Sequence, residues 1–341
     1  MADYTRKEAR DWARANMRGV HGCMLPTFNN SLTKVNERAI RHDIRLEKKL
    51  GFWGTLLVSE CGTTKDEMRQ VIDISVDEAK KNSLRTSLLA SFPTLKDTQE
   101  MVRYAEHAGV DLVLMSYPLM FYPTTEDQLY EYTKAVAGST NLGVMLFCIN
   151  QWNFGRLHPS DFSPALIGRL IDDVDNIVAI KNEIGLPGVA GIAEVFIRFR
   201  DRVVVCDPFE QNAPAWCMTF GMPFMGTSNY EYMGGEVVRY FNLLQERKFD
   251  QAMEIYWRLH PARQAGAQVA GAFMGGTGLV HRQLWKYQYW LNGFNGGPIR
   301  QPLPRVNDGQ MRALRQGLIR SGITPAPGED AEFFVGRHPE D

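Results

Sequence analysis

Lys181 and Glu183 are the residues whose types and spacing point most directly to chemistry. Lys181 ends the apolar run NIVAIK, and Glu183 stands two positions on. Lysine is among the side chains least often buried, so one that closes an apolar strand calls for a reason. An amine held out of water gives up its proton more readily, and a neutral amine attacks carbonyl carbon to form a Schiff base. If the strand persists to Glu183, both side chains point to one face. The carboxylate is then a counter-ion or a proton relay for the amine. A plainer reading stays open: a strand-end lysine whose head reaches water, ion-paired to a neighbour.

The elements around this pair repeat. Apolar, β-rich runs recur at Val20–Phe28, Thr55–Ser59, Leu84–Ser91, Asp111–Tyr117, Leu142–Ile149, Asn176–Asn182, Val203–Asp207 and Pro223–Ser228, each followed by a helix-period segment. Runs such as GVMLFCI are continuously apolar, as parallel strands covered on both faces are. Asp97 with Glu100, and Thr125 with Gln128, make capping-box patterns. Gly51 and Gly109 fall where helices should close. Strict alternation of eight strands and eight helices predicts an α/β fold, a (β/α)8 TIM barrel. A doubly wound sheet is the alternative, but no G-x-G-x-x-G follows the first strand.

The spacing divides the chain into an N-terminal extension (1–18), a barrel (19–247), a C-terminal helical annex (248–322) and a tail (323–341). Annex helices are expected over Phe249–Ala267, Leu279–Leu291 and Asn307–Ser321, after a last barrel helix at Glu236–Glu246. The Pro/Gly/acid-rich tail reads as a loose end or an arm that drapes a partner. In a barrel, active-site groups sit at the C-terminal strand ends. Those ends carry Glu60, Tyr117, Asn150, Asp207 and Asn229 beside Lys181 and Glu183.

Composition narrows the function. Lys plus Arg is 38 and Asp plus Glu is 39, a net charge of −1 that offers no footprint for nucleic acid. No apolar run approaches the ~20 residues of a membrane span, and the charged N-terminus lacks the apolar core of a secretory signal, so a cytoplasmic protein is expected. Cys23, Cys61, Cys148, Cys206 and Cys217 are odd in number and form no C-x-x-C pair, so they read as small buried hydrophobes. The histidines show no metal-ligand spacing, and no metal is expected.

With these residues in view, the chain from about Val20 to Ile323 resembles the dihydrodipicolinate synthase and N-acetylneuraminate lyase family of class I, lysine-dependent aldolases. NIVAIKNEIG resembles the family's Schiff-base strand, which assigns the imine to Lys181. GCMLPTF resembles its first-strand turn, with Pro26 and Thr27. LVLMSYPLMFYPTTEDQLYEYTKAVAGST resembles the fourth strand, aromatic loop and helix, FMGTSNY the eighth-strand turn, and QPLPRV (301–306) an annex segment. The resemblance implies a small-molecule carbonyl substrate, no cofactor, and a homotetramer built as a dimer of dimers.

Two departures bear on function. The family holds a keto acid carboxylate with a G-T-T-G-E motif, and here the second strand runs LLVSECGTTKDEM. One register keeps Gly62, Thr63 and Thr64. The other matches Ser59-Glu60 to the final Gly-Glu and makes Thr64–Glu67 the cap of the next helix, which the following MRQVIDISVDEA fits better. Ser59 and backbone amides are then the local carboxylate donors. The family's relay tyrosine falls in LFCINQWN, most simply at Phe147, which cannot carry a proton. Glu183, Glu60, Tyr117 and Tyr122 are the candidate substitutes.

The expected function is therefore a Schiff-base lyase of aldolase type acting on a 2-oxo acid or related carbonyl compound. Trp285, Tyr287, Tyr289, Trp290 and Phe294 in the annex, with Trp152, Phe154 and Phe121 near strand ends, suggest an aromatic mouth and a bulky or aromatic substrate. A hydro-lyase using the same iminium is the alternative enzyme. A keto-acid- or sugar-binding protein on a degenerate barrel is the non-enzymatic one.

Overall fold

A computed structural model describes residues 3–118, 120–183, 188–277, 280–300 and 303–341. Ile184 and Gly185 of the lysine motif, and Gln301 and Pro302 of QPLPRV, lie outside the described residues. Eight strands form one sheet: β1 (Gly19–Met24), β2 (Gly54–Leu57), β3 (Arg85–Ala90), β4 (Leu112–Met115), β5 (Gly143–Ile149), β6 (Ile177–Glu183), β7 (Val204–Cys206) and β8 (Phe224–Gly226). Their order is β7-β6-β5-β4-β3-β2-β1-β8. After α1 (Ala9–Asn16), the strands are followed by α2 (Glu37–Leu50), α3 (Lys65–Lys81), α4 (Leu95–Ala108), α5 (Glu126–Ala137), α6 (Pro164–Asp173), α7 (Val189–Phe199), α8 (Ala213–Phe220) and α9 (Gly235–Gln245). This is the (β/α)8 barrel with C-terminal helices. Each strand falls within or beside its expected run, and the continuously apolar ones, such as GVMLFCI of β5, suit a sheet covered on both faces.

The chain divides into two compact units. The first holds residues 1–21 and 85–227. Its strands pair in parallel, with Leu112 beside Gly143, Phe147 beside Lys181, and Lys181 beside Cys206. His21 pairs with Gly226, whose carbonyl accepts from Cys206 Sγ at 3.2 Å, so β8 is tied to both β1 and β7. The N-terminal extension packs here. Ala9, Trp12 and Ala13 of α1 are buried. Arg10 Nε donates to the Ile177 carbonyl at 3.0 Å, and Tyr4 Oη accepts from the Gly143 amide at 2.8 Å. The extension thus occupies the N-terminal ends of β5 and β6.

The second unit holds residues 22–84 and 228–341. Its α2 closes on Gly51 (φ 92°), a left-handed position that a side chain would strain. α3 opens on a capping box between Thr64 and Glu67, so that part of the second register of the β2 loop is what the chain adopts. Among the described residues the annex has four helices where three were expected: α10 (Phe249–Arg258), α11 (His260–Thr277), α12 (Arg282–Leu291) and α13 (Asp308–Arg320). The segment expected as one helix, Phe249–Ala267, breaks at Leu259. Pro261 lacks the N–H that a continuing helix needs and is tolerated in a new first turn. Leu279 lies outside the described residues, and α12 begins at Arg282. The tail is packed on its own unit. Phe333 is buried, Arg315 pairs with Asp330 at 2.5 Å, and Arg337 donates to the carbonyls of Phe294 and Trp290.

One cap in the first unit differs from expectation. Thr94, not Asp97, caps α4, accepting from the Asp97 amide at 3.0 Å. Asp97 sits at the third helical position and accepts from the Thr94 hydroxyl instead. All five cysteines are buried and none is in a disulfide.

Candidate active site

In the first unit β6 brings Lys181 and Glu183 to its C-terminal end. Lys181 is 5% exposed, and its Nζ lies 2.8 Å from Glu183 Oε1. The strand runs through Glu183, so two-residue alternation sets both side chains on one face. Phe147, directly across on β5, lays its ring 3.9 Å from Lys181 Nζ, within range of a cation–π contact. Trp152 packs edge-on against Phe147 at 5.6 Å and donates Nε1–H to the Phe147 carbonyl at 2.9 Å. The amine therefore has a carboxylate at hydrogen-bond distance and an aromatic face against it.

The other strand-end residues of this unit do different work. Tyr117 is buried, its hydroxyl bonded to Thr133 Oγ1 at 2.6 Å, and burial pushes the phenol well above its usual range. Its ring is the hub of a cluster with Phe121, Tyr132, Trp152, Phe154 and Phe162, at centroid distances of 5.3–6.0 Å. Asp207 is buried too. Its carboxylate accepts from the Phe209 amide, Asn212 Nδ2 and Trp216 Nε1 at 2.7–2.9 Å, while burial raises it to about 6. It folds its own loop. Asn150 is exposed, in a short helical turn after β5. Tyr122 is 65% exposed and stacks under the Arg156 guanidinium at 3.7 Å.

In the second unit, Glu60 follows β2 and accepts from Arg282 Nη2 at 2.6 Å. Thr63 donates to the Ser59 carbonyl at 3.2 Å. Asn229 donates to Gln288 Oε1 at 2.8 Å, and its own Oδ1 is buried without a partner among the described residues. Each of these contacts, except the one between Thr63 and Ser59, leads to α12.

That helix carries two charged residues, Arg282 and Lys286, that the sequence did not single out. Arg282, Lys286 and Tyr289, at i, i+4 and i+7, are all buried and share one face. Lys286 Nζ donates to the Pro26 carbonyl at 2.8 Å and to Thr27 Oγ1 at 2.6 Å, and burial lowers it to about 8. Glu231 accepts from the Cys23 amide, and burial and the nearby Glu231 carboxylate lift the Tyr289 phenol well above its usual range. Burial raises Glu231 to about 7 and lifts its neighbour Glu47 well above the carboxylate range. Gly22 permits this approach, since a Cβ there would strike the Glu231 carboxylate. The signal was present as three polar residues at helical spacing inside an aromatic stretch. The aromatics that drew attention are largely packing: Tyr287 and Trp290 stack on each other and meet Phe333 of the tail. Among the described residues, no cluster of His, Cys, Asp and Glu is arranged to hold a metal.

The profile of the Dihydrodipicolinate synthetase family matches residues 16–276. A 4-hydroxy-tetrahydrodipicolinate synthase of Methanothrix thermoacetophila is 25% identical over 322 residues, 89% of this chain and 96% of that protein. The enzyme of the same name from Clostridium perfringens strain 13 is 25% identical over 275 residues, 77% of this chain and 86% of that protein. A crystal structure of N-acetylneuraminate lyase from Fusobacterium nucleatum superposes with a TM-score of 0.73 at 18% identity, covering 89% of this chain and 98% of that one. A dihydrodipicolinate synthase crystal structure gives 0.73 at 21% identity, covering 89% and 99%. These two structures share the barrel. The profile match over most of the length, on a (β/α)8 barrel with a buried lysine near the end of its sixth strand, means that the chain belongs to the dihydrodipicolinate synthetase family of aldolase-type lyases.

Proposed function

We propose that this protein is a Schiff-base-forming lyase in which Lys181 is the nucleophile and Glu183 moves the protons. The substrate is a 2-oxo acid or a related carbonyl compound. The observation that carries the reading is the buried Lys181 amine, 2.8 Å from Glu183 and 3.9 Å from the Phe147 ring centroid. Glu183 takes a proton from the ammonium. The free amine attacks the ketone carbon, the C–N bond forms, and the carbonyl oxygen leaves as water with protons returned through the same carboxyl group. The iminium that results draws electrons from the adjacent carbon, so a carbon–carbon bond can be broken or made beside it. A cationic nitrogen over the Phe147 face is favoured by the ring quadrupole. Phe147 and Trp152 make the amine's surroundings aromatic, which suits a bulky or aromatic substrate.

One observation favours hydro-lyase chemistry as a second reading. Phe147 holds the position that resemblance gives to a relay tyrosine, and it has no hydroxyl. A site rebuilt around one carboxylate beside the imine is equipped to expel water from the carbon chain as well as to break it.

Incubation with pyruvate and borohydride, followed by intact mass and peptide mapping, tests the nucleophile. A reduced pyruvyl adduct on Lys181 is expected, and none in Lys181→Ala, which should be folded and inactive. An active Lys181→Ala enzyme ends the Schiff-base reading.

A further inference from the structure

We propose that the C-terminal tail is an acid-released strap on the loop between β1 and α2, with the His338–His42 pair as its latch. The pair joins the tail to α2. His338 Nε2 lies 3.1 Å from His42 Nδ1, and the two rings meet edge to face with centroids 4.7 Å apart. His42 Nε2 lies 2.9 Å from the Gly293 carbonyl. A carbonyl only accepts, so the hydrogen of neutral His42 sits on Nε2, and its Nδ1 must accept from His338. A proton added to His42 would set N–H against N–H. A proton added to His338 takes Nδ1 and keeps the bond, but it puts a cation in a half-buried place. Arg38 and Arg45 of α2 and Arg337 of the tail already face that place. Burial first, and then His42 and these three charges, hold His338 below the usual imidazole range. The acids nearby give little relief. Asp43 faces His42 but is buried and raised to about 6, Glu78 is paired with Arg41 and Arg45, and Glu332 faces Arg337.

The latch holds a loop of the same unit. Asn36 Nδ2 donates to the His338 carbonyl at 2.7 Å, and the Asn30 amide donates to the Glu340 carbonyl at 2.8 Å. Lys34 lies 3.8 Å from Glu340. The His338 amide donates to Asn295 Oδ1 at 2.9 Å, so the strap is tied on its other side to the turn after α12. Asn36 is also the N-cap of α2. A histidine lowered in the docked state leaves docking unimpaired above about pH 6.5 and opposes it as pH falls below that value. Asp43 and Glu231, raised to about 6 and about 7, act the other way and favour the folded state more as pH falls. Loosening of the tail on acidification therefore cannot come from them.

Hydrogen exchange of the full chain, read as protection over the intrinsic rate between about pH 8 and about pH 5.5, tests the strap. The amides of Asn30 and His338 should lose protection together below about pH 6.5, by up to roughly tenfold per pH unit for one proton. His338→Gln can donate to neutral His42 or accept from its imidazolium, and it does not titrate. It should keep most of its protection at the acid end. Arg38→Gln removes an exposed charge of α2. It should lessen the acid loss and leave protection at the alkaline end unchanged, and it is the deciding variant if His338→Gln is undocked throughout. Wild-type protection that stays level across the range overturns the proposal. So does an acid loss undiminished in His338→Gln, or in Arg38→Gln where that variant decides.

Discussion

The two units bury charge in contrasting ways. In the first, the charged pair at the end of β6 is two residues long: Lys181 and Glu183, on one face of one strand. In the second, the buried polar groups come from distant stretches of chain. Arg282 meets Glu60 across 222 positions, and Cys23 meets Glu231 across 208. A pair built by strand alternation needs only the strand, so it can be altered with little cost to the fold. A cluster built by long-range contact ties loops together, and its members are held by several neighbours at once. The first arrangement suits a reacting group, the second a support.

The sharpest test of this contrast is Glu183→Gln. The variant should keep its fold and still trap pyruvate on Lys181, while turnover falls roughly 10²–10⁴-fold, the usual worth of a general acid–base group. Stopped-flow trapping beside steady-state turnover separates the two. Normal turnover would move the proton path to another group and leave the short pair a plain ion pair.

Glu47→Gln probes the support. Glu47 Oε1 accepts from Thr55 at 2.9 Å, and Oε2 has no partner among the described residues unless a proton bridges to Glu231. Both carboxyls are raised by burial, Glu231 to about 7. A carboxyl raised in the folded state keeps its proton while the unfolded chain, near pH 4.5, loses it. The stabilisation is therefore fully present below about pH 4.5 and is lost as pH rises towards 7, by about 1.4 kcal/mol per pH unit for one proton. An amide at position 47 donates permanently. The variant should lose less stability than wild type between these pH values, measured as the difference in unfolding free energy. Parallel curves would show that no proton is shared.

The smallest effect is expected from Tyr117→Phe. Its hydroxyl is spent on Thr133, so removal should cost about 1 kcal/mol in stability and leave turnover unchanged. A marked loss of turnover would return Tyr117 to the list of proton carriers.

Where each candidate residue lies relative to its strand end explains what could be read in advance. Lys181 and Glu183 are inside β6, where alternation holds, and they meet as their spacing predicts. Tyr117 and Asp207 lie past the ends of β4 and β7, at Met115 and Cys206, where alternation no longer governs direction. Both turn inward, to Thr133 and to the donors of the Asp207 loop. Asn150, just past β5, is left in solvent.

The amino-acid sequence determined the eight strands, their apolar covering, most of the caps and the one strand-end amine. These depend on neighbours within a few positions, through periodicity, burial and hydrogen bonds to the local backbone. The inward turn of Tyr117 and the packing of the tail were decided by tertiary structure. So was the use of α12, whose aromatics fill the annex while Arg282 and Lys286 reach Glu60 and Thr27. A helix's spacing says which residues share a face, but the partner of that face is chosen by the rest of the chain when it folds against it.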